Sequence, residues 1–321
     1  MFINDDILIT QGATLTITGT IAMASDARIM VDKGARLEIL GGKVTSACNE
    51  LWRGIEVWGD KDLTQSPLSN QGVVVLSDGA IIENALIGIA ATKFGINDVP
   101  DYTYSGGIIL AREAEFVNNK IAAKFFPYQY GNTSYFIQCN FKTNRVLYDS
   151  QNPDCFVELM AGYGVSFRGC TFDNSISYET TWLANRGNGI EATDAQFEVI
   201  EECTLQGGGG ECLEWENSTF TGLNYGIYAT SAGIGGDAPI MDRCVFTGNN
   251  TGIYLGAVDE ATINRCDFNI VKPLKEGSSW TIGGLYLDNC TGYQVEENYF
   301  VNDGNDPLNT SDGNFCGIDC K

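Results

Sequence analysis

Apolar residues near the start of the chain fall in pairs two apart: Ile7/Ile9, Leu15/Ile17, Ile21/Met23, Ile29/Val31 and Leu37/Ile39. That alternation is the period of short strands with one buried face. The pattern also recurs as a block. Residues 7–22, ILITQGATLTITGTIA, return 22 positions on as 29–44, IMVDKGARLEILGGKV. Ile7 then lies over Ile29, Gly12 over Gly34, Leu15 over Leu37, Ile17 over Ile39 and Gly19 over Gly41. A fixed period in the low twenties marks stacked repeats, each made of several short strands joined by turns.

A second signature carries the same frame through the rest of the chain. Cys-x-Phe appears at Cys139/Phe141, Cys170/Phe172, Cys244/Phe246 and Cys266/Phe268, with Cys203/Leu205, Ser218/Phe220 and Asn298/Phe300 as variants. Cys244 and Cys266 are again 22 apart. Interspersed with these pairs, GIYA at Gly226, GIYL at Gly252 and GLYL at Gly284 each open a short strand after a turn. The spacing predicts an all-β fold, a single-stranded right-handed parallel β-helix of roughly 10 to 13 coils, about 50 to 60 Å long at the spacing of paired strands.

Composition supports short strands broken by tight turns: 38 Gly among 321 residues, 7 Pro, and many Asn and Asp, which tolerate positive φ. Each coil buries its apolar face only against its neighbours, so residues 1–321 are read as one elongated domain and a segment of a longer protein. Residues 1–48 hold the 22-residue coils, and 300–321 form a terminal loop or cap region. The formal charge of −22 opposes binding to nucleic acid and anionic membranes. No apolar run is long enough to span a membrane.

The 11 cysteines are an odd number, and four of them sit two residues before a Phe, with Cys203 two before a Leu. Cys139, Cys170, Cys203, Cys244 and Cys266 are therefore expected to point inward as a structural ladder, since free Cys packs as a small hydrophobe. Cys316 and Cys320, in FCGIDCK, are the candidates for a disulfide, which would imply an oxidising compartment.

The chain has no histidine, which removes Ser-His-Asp and Cys-His nucleophiles and His-metal hydrolases. What remains is a carboxylate-pair glycosidase or a calcium-assisted lyase. Glu211, Glu214 and Glu216 lie in GGGGECLEWENSTF, and Glu214 and Glu216 share one strand face with Trp215 on the other. Asp173, Glu179 and Asp194 flank a second candidate. A solvated face on an acidic rod explains both sets as well, and no convincing catalytic constellation emerges. A lyase needs a positive patch, but Arg145, Arg168, Arg186, Arg243 and Arg265 are scattered. In NDGNDPLNTSDGN, Asp303, Asn305, Asp306, Asn309 and Asp312 have the oxygen-rich chemistry that calcium prefers; a plain polar turn fits the same residues.

Segments 60–72, 92–106, 173–188, 231–239 and 270–283 exceed what a turn needs and carry Tyr102, Tyr104, Tyr178, Trp182 and Trp280. Such aromatics either stack against sugar rings, as recognition loops on repeat proteins do, or pin the loops onto the rod.

The blocks LWRGIEVWGD, QGVVVLSDGAIIENALIGIAA, GGIILAREAEFVNNKIAAKFFPY and VELMAGYGVSFRGCTFDNS resemble, over roughly residues 7 to 300, a family. It is the right-handed parallel β-helix (pectin-lyase-like) module of large bacterial secreted and cell-surface proteins, often associated with type IX secretion. The resemblance implies an extracellular or cell-surface location. The resulting expectation is a non-enzymatic stalk or adhesin-type module, with glycans, other surface proteins or copies of itself as partners. The alternatives are a polysaccharide-degrading enzyme and a self-assembling filament subunit.

Overall fold

The computed structural model describes residues 1–148, 151–176, 183–233, 238–270, 282–302 and 315–320. It is all-β, with long parallel sheets. The strands fall into three ladders, and the chain visits them in turn. The first ladder is an 11-stranded parallel sheet from Phe2–Ile3 through Thr20–Met23 and Lys43–Ser46 to Tyr299–Asn302. The second begins Ile7–Ile9, Arg28–Val31, Trp52–Val57, Ala85–Ala90 and Ile121–Phe125, and ends at Phe315–Cys320. The third begins Thr14–Ile17, Arg36–Leu40 and Val73–Ser77, and ends at Gln294–Glu296. Two long strands, Cys155–Arg168 and Asn188–Ile200, run from the second ladder into the third.

The 22-residue period is the pairing register. Ile7 pairs with Ile29, Leu15 with Leu37 and Ile17 with Ile39. In the first ladder the offset becomes 23, Ile21 pairing with Val44. The Gly41–Gly42 doublet takes up the extra residue. Gly41 adopts φ +63°, and a Cβ on Gly42 would come within 2.5 Å of the Ile17 carbonyl oxygen.

Alternation along each strand sends Ile29, Val31, Leu37, Ile39 and Val44 into one continuous core. Deeper in the stack the core is aromatic. Phe116, Phe141, Phe172, Phe220, Phe246, Phe268 and Phe300 form a column of near-parallel rings with successive centroids 4.8, 4.7, 4.5, 4.9, 4.9 and 4.6 Å apart. Six of these seven occupy the third position of the Cys-x-Phe frame or its variants. The strand-opening glycines exist to admit these rings: a Cβ on Gly226, Gly252 or Gly284 would lie 2.6–2.7 Å from Cδ1 of Phe246, Phe268 or Phe300.

Cys139, Cys170, Cys244 and Cys266 are buried at the turn from the third ladder to the first. The thiols of Cys170 and Cys244 donate to the carbonyls of Phe136 and Val199, each at 3.3 Å. Where the frame carries a polar residue, hydrogen bonds replace packing. Ser218 Oγ accepts from the Cys170 amide and donates to the Ile200 carbonyl; Asn298 does the same between the Cys266 amide and the Ile263 carbonyl.

Cys203 does not join this set. It is bonded to Cys212 with Cα atoms 5.8 Å apart, across an antiparallel hairpin formed by Glu202–Gln206 and Cys212–Glu216. Here the turn from the third ladder to the first is replaced by an insertion, so the Cys203/Leu205 pair leaves the core and Leu205 is exposed. Cys320 is a free thiol, not a partner for Cys316. Both lie in Phe315–Cys320, and four residues along an extended strand span about 13 Å, beyond disulfide reach.

Candidate functional site

The three corners of each winding differ. From the third ladder to the first the chain turns within two residues at 138–139, 169–170, 243–244, 265–266 and 297–298. The first residue of each pair, Gln138, Gly169, Arg243, Arg265 and Glu297, sits at φ between 52 and 56°. Connections on either side of the second ladder are much longer: 58–72, 91–107, 126–134 and 231–239 follow its strands, while 144–154, 175–187 and 271–281 precede them. Long connections on a rigid scaffold are where recognition concentrates. The outward face of the second ladder is the candidate site.

One row of outward side chains runs along it in register: Glu56, Ala90, Lys124, Glu158, Glu191, then Tyr228, Tyr254 and Tyr286. Lys124 pairs with Glu158 at 2.6 Å, and Glu191 accepts from Asn188 Nδ2 at 3.0 Å. The tyrosine rings stack at 4.9 and 5.3 Å, tilted by only 11 and 12°. Because the rings cover each other's faces, this column offers a line of phenol edges to solvent and not a flat platform. Tyr254 donates to Asp288, and burial, together with that carboxylate, pushes its phenol up to about 12.

The row is held at its inner edge by asparagines. Asn224 donates to Asn188 and Asn250 to Asn224, at 3.3 and 3.4 Å. Asn119 and Asn249 each accept one backbone amide and donate to one backbone carbonyl, satisfying the bend before the second ladder.

At the early windings the face is concave. Glu56, only 4% exposed, takes Arg28 Nη1 at 2.5 Å, Trp58 Nε1 at 2.8 Å and the Phe94 amide at 3.3 Å. Asp98 pairs with both Arg28 and Arg53. Lys93 lies 4.5 Å over the Trp58 ring and 4.7 Å over that of Tyr104.

Of the aromatic residues singled out from sequence, Tyr104 packs edge-on against Trp58 and Tyr102 packs against Phe126, each about 5.8–5.9 Å away. They fasten the 91–107 connection onto the second ladder, although Tyr102 remains 45% exposed. Tyr178, Glu179, Trp182 and Trp280 lie outside the described residues, as do Asp303, Asn305, Asp306, Asn309 and Asp312.

The carboxylate candidates do not converge. Glu211, Glu214 and Glu216 sit on the exposed disulfide hairpin, where Glu216 accepts from Gln138 at 2.9 Å. Asp173 stands in the first ladder between Lys142 and Thr221. Burial raises its carboxyl, opposed by its hydrogen bond with Ser175 and by Arg186 and Lys142. Asp194 accepts from Ser231 Oγ and the Ala232 amide, closing a turn after the second ladder. Among the described residues no cluster of three or more metal-ligating side chains occurs.

The in-register outward row escaped the sequence reading. Its signal was present: GIYA, GIYL and GLYL place a Tyr at the same point of three successive windings. The alignment of Lys124, Glu158 and Glu191 with them has no sequence mark, because loops of unequal length separate the strands.

Compared with known proteins, the chain matches no family model and no curated sequence. Among the described residues no helix is long and apolar enough to cross a membrane.

Proposed function

We propose that the chain is a right-handed parallel β-helix that acts outside the cell as a rigid, non-enzymatic recognition module, reading glycans or partner proteins along the outward face of its second ladder. The observation that carries this reading is the asymmetry of the corners: long connections gather at both margins of that one ladder, whereas the opposite corner turns within two residues almost throughout. The stacked Asn and Phe columns support a stiff scaffold. The Cys203–Cys212 disulfide supports an oxidising location, and the −22 charge keeps long acidic rods apart.

A second reading, polysaccharide cleavage, is favoured by one observation. Glu158 and Glu191 are in-register neighbours on this face, so their backbones are about 4.8 Å apart, and retaining glycosidases hold their two carboxyl groups about 5–5.5 Å apart. A screen of the purified chain against glycans and polysaccharides, with calcium and with chelator, separates the readings. Binding without product is the expected result. Released oligosaccharides would establish an enzyme, and Glu158→Gln and Glu191→Gln would then abolish release. Silence towards every glycan, with no captured protein partner either, would remove the recognition role.

A further inference from the structure

A cleft of about 100 Å³ opens on the second ladder beneath the 91–107 connection. It is made by a break in strand register. The pairing of Ala85–Ala90 with Trp52–Val57 slips between Ile87 and Ile89. Gly54, at φ +103°, permits the slip, since a Cβ there would lie 1.6 Å from the Ile87 carbonyl oxygen. Bulges re-aim side chains beside functional sites. Leu86, just before the slip, is 38% exposed and lines the cleft together with Phe94.

The polar groups at the other side define the ligand by their balance. Arg28 and Arg53 are matched by Glu56 and Asp98, so the cleft has no surplus charge for an ionic ligand, and the field of the whole chain disfavours an anion. One polar capacity remains open: the Asp98 side chain is 54% exposed, with its carboxylate able to accept further hydrogen bonds.

We propose that this cleft binds one pyranose ring of a neutral glycan, its apolar C–H face against Phe94 and Leu86. A sugar hydroxyl donates to Asp98. The assignment rests on the recognition reading above and gives it a substrate class.

Calorimetric titration with cello-, xylo-, manno- and maltohexaose tests it on the intact chain and on three variants: Leu86→Asp, Phe94→Ala and Trp215→Ala, the last on the remote hairpin. Thermal unfolding checks that each variant is folded. At least one hexaose should bind the native chain, with affinity at least tenfold weaker in Leu86→Asp and Phe94→Ala and unchanged in Trp215→Ala. Equal binding by the native chain, Leu86→Asp and Phe94→Ala would overturn the cleft and leave recognition elsewhere on the face intact. No binding of any hexaose overturns the cleft as well. The recognition reading falls with it only if the wider glycan and protein screen is also silent.

Discussion

The ring of Phe246 lies directly over Gly226, close enough that a Cβ on that glycine would sit 2.7 Å from Cδ1 and 2.6 Å from the carbonyl oxygen of Gly252. The backbone contact cannot be relieved by a rotamer change, so Gly226→Ala must displace either a strand or the phenylalanine column. Overpacking of this kind costs about 1–3 kcal/mol. Urea denaturation of Gly226→Ala should show a lowered midpoint, whereas Gly208→Ala, at a hairpin position with open space, should match the native chain. Equal midpoints for the two would contradict the packing described.

The column itself makes a larger prediction. Phe172 is fully buried and stacks on Phe141 at 4.7 Å and Phe220 at 4.5 Å. Phe172→Ala should lose about 3–5 kcal/mol. Tyr254→Ala, on the outward row, should lose clearly less, because its ring is only partly buried. The two unfolding curves measured side by side decide it.

The thiols report the interior. Brief alkylation of the native chain followed by mass spectrometry should modify Cys48 and Cys320, which are exposed, and spare Cys139, Cys155, Cys170, Cys244 and Cys266. Cys203 and Cys212 should react only after reduction. Rapid native labelling of Cys170 or Cys244 would mean that the core is not closed at that corner.

Stability should fall at alkaline pH. Burial holds the Cys155, Cys170 and Cys244 thiols well above their ordinary range, and the Tyr254 phenol stands at about 12. In the unfolded chain these groups ionise near about 8.5 and 10. Above that range the unfolded state gives up protons that the folded state keeps, so the stabilisation is complete below about pH 8.5 and declines as pH rises towards 12. Urea midpoints at pH 7, 9 and 10.5 should decrease in that order, with a smaller drop for Cys170→Ala. A midpoint that does not move between pH 7 and 10.5 would rule the mechanism out.

Much of the scaffold is legible in the sequence because its determinants are local and repeat. Ile7 and Ile29, or Phe246 and Phe268, pair in space at the offset at which they recur in the chain. Legibility ends where an insertion breaks the period. Cys203/Leu205 has the right spacing for the core, yet residues 202–216, which hold Cys203 and its disulfide partner Cys212, form a separate antiparallel unit. The candidate face was hidden for the same reason. Leu86 comes to lie beside Arg53 because Ala85 pairs with Trp52 and Ile87 with Gly54, and Asp98 reaches Arg53 from a connection whose course depends on Tyr102 and Tyr104 packing against Phe126 and Trp58.

Hydrogen–deuterium exchange of the intact chain, with and without a saturating neutral hexaose, tests the central claim that recognition belongs to the outward face of the second ladder. Added protection should concentrate in peptides covering residues 53–58 and 86–104 and leave the 202–216 hairpin and the first ladder unchanged. Protection confined to the hairpin or the first ladder would contradict the account.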